Sequence, residues 1–182
     1  MSPVEAYINV VKTYPIYSAM VQFAILGTFG EMVGSKVRGG KWMPFSAGQT
    51  VMKMVAWAAL GVFIKYAFTG FHGFHGILLK KGMWPTSFMM FNSNIWAAVS
   101  ISIFTNILFG PVMILTHRLM DNFIEGKGMN WQSLVGAWWT LIYFWIPAHS
   151  VTFSLPGHYQ IGLAALWSVV LGLILGMFSR AR

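Results

Sequence analysis

The chain has no cysteine, and only 9% of its 182 residues are charged. Without thiols there are no disulfides, no cysteine-bound zinc and no iron–sulfur clusters. The charge deficit excludes more, because soluble domains carry about 25% charged residues. Acids are scarcest, with four in the whole chain: Glu5, Glu31, Asp121 and Glu125. No nucleophile stands beside a base, no glycine loop has a phosphate-cradling pattern, and no carboxylates are paired for acid–base work. The expectation is a protein that is not an enzyme and carries no cofactor. The N-terminal MSPVEAYINVVKTY has no basic stretch ahead of its apolar residues and no Arg- and Ser-rich character, so targeting is expected to be internal.

What is present is apolar surface. Hydrophobic residues make up 57% of the chain, and the mean hydropathy is +0.64. This composition predicts an all-α, polytopic integral membrane helical bundle in one domain over 1–182, with the lipid bilayer as its first partner. The net charge of +8 sits in short loops between apolar runs, with no stripe to track phosphates. It orients a membrane protein and does not bind nucleic acid.

Met1–Tyr14 reads as an amphipathic lead in the interface. Apolar runs follow at Pro15–Gly34, Thr50–Leu79, Ile95–Thr116, Trp131–Phe153 and Gln160–Phe178. The second is too long for one upright span, so it must tilt or let its Gly70, Gly73, Gly76 end leave the membrane. Gly110-Pro111 should kink the third. His117–Asn130 is the most polar stretch and reads as a loop. Five crossings put Lys36, Arg38, Lys41, Lys53, Arg118, Lys127, Arg180 and Arg182 on one side, against Lys12, Lys80 and Lys81 on the other. A four-span variant weakens that bias, so five crossings are expected, with the C-terminus on the cytoplasmic or matrix side.

Glu31 is the one acid inside an apolar run, and such residues face water or a basic partner. Gly27, Gly30 and Gly34 share its helical face and admit a close neighbour. Depth pairs Glu31 with Lys53 and not with Lys65, which lies about three turns further in. Lys65 shares a face with Gly61, Thr69 and His72, and either lines a polar path or snorkels along its own stem. Ser102, Thr105 and Asn106 form one stripe, and Thr140, Tyr143, Ser150 and Thr152 punctuate the fourth run. They line a lumen or staple helices. His72, His75, His149 and His158 lie toward one side and are candidates for metal binding, haem binding or pH sensing. Interfacial packing is the plainer account. Ser168, Gly172 and Gly176 make a small-residue ridge, for an internal contact or a homodimer. Asp121 and Glu125 are expected on a solvated turn, neutralising Arg118 and Lys127.

One resemblance runs along the whole chain in order. It is carried by Pro15 and Gly30-Glu31 in the first run and by Phe109-Gly110-Pro111 in the third. Near the end it rests on Trp145-Ile146-Pro147, Ser150, Phe153, Leu155-Pro156, His158-Tyr159-Gln160 and Trp167. In these features the chain resembles the 22-kDa peroxisomal membrane protein family, which includes the mitochondrial Mpv-type channel protein. It departs from that pattern at Thr105-Asn106, where the family has Asp-Gln, at Gln160, where it has arginine, and by one residue between Trp145 and Pro147. The resemblance implies a small channel or pore-type protein for small solutes or ions. It places the chain first in a mitochondrial inner membrane, with peroxisomal and bacterial cytoplasmic membranes as alternatives. The polar path would then run along Glu31, Lys53, Lys65, Thr105, Asn106 and Ser150. Two other classes stay open: an accessory subunit packed against other membrane subunits or its own copies, and a haem- or metal-binding subunit.

Overall fold

The computed structural model describes residues 1–85 and 93–180, apart from the side chains at 175 and 178–180. Arg182, counted above among the basic residues, lies outside the described residues. Among the described residues the structure is helical, with no strand. Helix α1 spans Pro3–Thr13, α2 Pro15–Val37, α3 Ala47–Lys80, α4 Ser93–Phe104, α5 Gly110–Glu125, α6 Trp131–Thr140, α7 Ile146–Ser154 and α8 Gly157–Arg180. Among the described residues, four stretches are long and apolar enough to cross a membrane: Pro15–Val37, Ala47–Lys80, Ser93–Glu125 and Gly157–Ile174.

Local chemistry sets the ends. Ser2 and Glu5 form a capping box on α1, and Ser46 and Gln49 form another on α3. Asn130 caps α6 by accepting from the Ser133 amide. Gly126, at φ 65°, closes α5 in the left-handed conformation that favours glycine. Helix α1 folds back onto the bundle. Its Val11 is buried, and the Tyr7 hydroxyl donates to Gln22 Oε1 at 3.0 Å. Burial, with Tyr159 adding to it, raises the Tyr7 phenol above its ordinary value.

Helix α3 is unbroken over 34 residues, or about 51 Å at ~1.5 Å per residue against a hydrocarbon core of ~30 Å. Its Gly70, Gly73 and Gly76 face open space. Thus the glycine-rich end is continuous helix, with its glycines open on one face while His75 is buried and Phe74 packs on Phe104 on the other.

The prolines of the third and fourth runs are met by π turns. Thr105–Phe109 joins α4 to α5, with the Gly110 amide donating to the Thr105 carbonyl, and Pro111 follows. Leu141–Trp145 joins α6 to α7, with the Ile146 amide donating to Leu141, and Pro147 follows. A proline ring clashes with the carbonyl four residues back, and widening the preceding turn relieves that clash. The predicted break at Gly110-Pro111 is therefore a bulge within a helix that runs on to Glu125. The polar stretch from His117 to Glu125 is the last turns of α5, not a loop.

The core joins Ala19 and Phe23 of α2, Leu60, Ile64 and Phe68 of α3, Ile101 of α4, Phe153 of α7 and Ala164 and Ala165 of α8. Helices α2 and α8 pack most closely, and they run parallel. Ser168 Oγ reaches the Leu26 carbonyl at 3.3 Å. A Cβ at Gly30 would meet the Ser168 carbonyl, one at Gly172 the Gly30 carbonyl, and one at Gly176 the Gly34 carbonyl. The two small-residue ridges expected from sequence are thus the two halves of one internal contact. Gly27 serves α3 instead, lying against the Trp57 ring.

Candidate functional site

Helices α2, α3 and α5 bring their ionisable residues to one end of the bundle, the end of the basic loops. Lys53, on α3, is wholly buried there, and its ammonium is held by three carboxylates. Glu31 Oε2 lies at 2.6 Å, Asp121 Oδ1 at 2.8 Å and Glu125 Oε1 at 2.8 Å. The Phe45 ring sits 4.5 Å from the ammonium on a further side, a cation–π contact. An ammonium has three protons, and three acceptors match them. Burial makes each bond matter, since a lysine in an apolar bundle without counter-charge is expensive.

The acids are in turn oriented. Trp57, one turn along α3 from Lys53, donates its indole N–H to Glu31 Oε1 at 2.6 Å. His117 Nε2 stands 3.4 Å from Glu31 and 3.5 Å from Asp121, and its ring packs on Trp57 at 4.3 Å. Lys127 closes on Glu125 at 2.6 Å from the solvent side. Glu31, His117 and Asp121 each offer a ligand atom, all within 4.8 Å of one another, and form the metal-competent group found among the described residues. The Lys53 ammonium already supplies positive charge to two of its members. His72, His75, His149 and His158, the candidates read from sequence, do not gather into such a group among the described residues.

A cavity of about 690 Å³ runs inward from this cluster. Arg38, Arg118, Glu31 and Asp121 line it at the ion-cluster end, and Asn106, Trp145, His149 and Phe68 line it deeper in the bundle. Asn106 Nδ2 donates to the Ser102 carbonyl at 2.8 Å and lies 3.1 Å from His149 Nδ1. Ser102 Oγ donates to the Ile146 carbonyl at 2.7 Å, stapling α4 to α7. Across Phe68 lies a second cavity of about 380 Å³, lined by Lys65, Thr69, His72, Gln160 and Ile161. Phe68 borders both, buried between His149 at 5.4 Å and Phe153 at 4.6 Å.

The residues proposed as a polar path are therefore divided. Glu31, Thr105 and Asn106 line the first cavity, and Lys65 lines the second. Lys53 sits behind the wall, saturated by its carboxylates. Ser150 lines neither cavity, and its hydroxyl donates to the Ile146 carbonyl of its own helix at 2.7 Å. Of the four histidines, His149 borders the first cavity and His72 the second. His75 is buried, with no partner for its Nε2 among the described residues.

The preference for Glu31–Lys53 over Glu31–Lys65 agrees with the structure. The solvated-turn reading of Asp121 and Glu125 does not: both turn inward to Lys53. Of the pairings expected for them, Glu125–Lys127 forms, and the Arg118 guanidinium has no partner among the described residues. The missed signal is the spacing of His117, Asp121 and Glu125, four residues apart on one helical face. No family model, curated protein or solved structure matches the chain.

Proposed function

We propose that this chain is an integral membrane protein that passes a small solute through the centre of its helical bundle. The observation that supports this reading is the pair of cavities that approach each other from opposite ends and meet at Phe68. A single buried aromatic ring between two cavities is how an apolar constriction gates a path. The resemblance to the 22-kDa peroxisomal membrane protein family leads to the same class and to an organelle membrane, with the mitochondrial inner membrane first.

Five crossings belong to the same proposal. Helices α2 and α8 run parallel, and a chain returns to its first direction only after an odd number of crossings. Trp131–Ser154, a continuous helical stretch through its π turn, then supplies the crossing beyond the four long apolar ones. It leaves the Asn130 end beside α5, with Trp138 Nε1 3.4 Å from the Pro111 carbonyl, and returns along α4.

Swelling of proteoliposomes in isosmotic solutes tests the reading. Entry above protein-free vesicles is expected, raised several-fold by Phe68→Ala and lowered by Phe68→Trp. If wild type and Phe68→Ala are both as tight as empty vesicles, the solute-path reading is wrong.

A further inference from the structure

The inner cavity has an unusual charge account. The chain owns four side-chain carboxylates. Glu5 is used in the capping box of α1. Glu31, Asp121 and Glu125 are used by Lys53, and Lys127 takes a further share of Glu125. Lys53 and Lys127 offset two of those three negative charges, so one carboxylate charge stands against the two guanidiniums of Arg38 and Arg118, which line the cavity beside Glu31 and Asp121. Neither guanidinium has an ion-pair or hydrogen-bond partner among the described residues. A guanidinium stays charged at any working pH and presents a donor fork matched to carboxylate and phosphate oxygens.

Further in, the polar groups are already spent on the protein itself. Thr105 Oγ1 donates to the Ile101 carbonyl at 2.8 Å, Thr140 Oγ1 to the Ala137 carbonyl at 2.6 Å, and Asn106 to Ser102. The remaining wall is apolar, with Phe109, Leu141, Ile64 and Leu171 above Phe68 at the base. A cavity of 690 Å³ falls inside the range of ~300–1,000 Å³ typical of ligand pockets. Its two ends make different demands: four cations against three carboxylates, with the two guanidiniums unpaired, at the ion-cluster end, and apolar surface unfilled at the base.

We infer that this cavity binds a single-chain amphipathic organic anion, with a carboxylate or phosphate head at Arg38 and Arg118 and an apolar body directed toward Phe68. This rests on the reading of the cavity as a solute site and names the class of solute. The head pairs the two unpartnered guanidiniums and offsets the one net positive charge, and the body removes apolar wall from water at about 25 cal/mol per Å². A small hydrophilic anion would meet only the ion-cluster end, and a neutral alkane only the base.

Equilibrium binding of radiolabelled laurate tests this, with the full chain in nanodiscs of zwitterionic phosphatidylcholine and empty discs as the blank. Saturable binding above the blank is expected, displaced by dodecyl phosphate but not by dodecanol, dodecyltrimethylammonium or inorganic phosphate. The double variant Arg38→Gln/Arg118→Gln should weaken binding at least about tenfold, the value of a lost charged hydrogen bond. Arg38→Lys/Arg118→Lys should recover most of it. Leu141→Trp, which fills the apolar wall, should also abolish it, and thermal melting checks that each variant is folded. Absence of saturable binding, or indifference of folded Arg38→Gln/Arg118→Gln, overturns the inference. So does inorganic phosphate or dodecanol competing as well as dodecyl phosphate. Phosphatidic acid in the disc that blocks laurate assigns the same head chemistry to a two-chain bilayer lipid and overturns the single-chain form. The assay needs no flux. Laurate binding without solute entry defeats the transport reading alone, and entry of neutral solutes without laurate binding defeats this inference alone.

Discussion

Helix α3 carries two lysines about three turns apart, and they have opposite fates. Lys53 is fully buried, and each proton of its ammonium meets a carboxylate from α2 or α5. Lys65 is half-buried on the edge of the smaller cavity, with no ion pair among the described residues. The same residue type on one helix is a structural rivet at one end and a free charge at the other. The difference lies in where the chain spends its acids. With three of four acids at one end, that end is electrostatically locked, and the other is held by aromatic packing and is open to change.

The largest test of this contrast removes each charge in turn. Lys53→Met leaves three carboxylates crowded with only the outer Lys127 to offset them and should cost about 3–5 kcal/mol. Lys65→Met should stay within about 0.5 kcal/mol. Thermal unfolding in one detergent compares them, and equal losses would break the comparison.

Next come the bonds that orient the cluster. Trp57→Phe removes the indole N–H at 2.6 Å from Glu31 and should cost about 1.5–3 kcal/mol, as for hydrogen bonds to charged groups. At the far end, Thr69 donates to the Lys65 carbonyl of its own helix while exposed. Thr69→Val should move the unfolding midpoint little, within about 0.5 kcal/mol.

The smallest test is one of sign. A methyl at Gly172 runs into the Gly30 carbonyl, so Gly172→Ala should destabilise by about 1–3 kcal/mol through overpacking. Gly73 has nothing near it. Gly73→Ala should stabilise by about 0.5–1 kcal/mol through helix propensity alone. A destabilising Gly73→Ala would mean that the open glycine face of this end is covered by a partner.

Much of the locked end was readable from sequence. Glu31 and Lys53 matched by depth, and small-residue spacing marked Gly30 and Gly34 on one helix and Gly172 and Gly176 on another, though their pairing with each other appears only in the structure. Asp121, Glu125 and His117 were not, because a run of polar residues looks like a span's end. Hydropathy cannot tell a loop from a helix whose polar face has an inward partner. Phe68 was invisible for the opposite reason: it is one of fifteen phenylalanines, and its position between two cavities exists only in three dimensions. Ser150 was over-read, since a hydroxyl in an apolar helix bonds its own backbone unless a neighbour offers better.

Each π turn is, in clockwork terms, a spare tooth. The step from Thr105 to Gly110 holds one residue more than an α step, and so does the step from Leu141 to Ile146. Losing one residue inside either turn returns plain α-helix with the flanking faces where they were. Losing one between Val112 and Thr116 instead swings His117, Asp121 and Glu125 about 100° off Lys53. Chain length can therefore drift by one at two places without unseating the ion cluster.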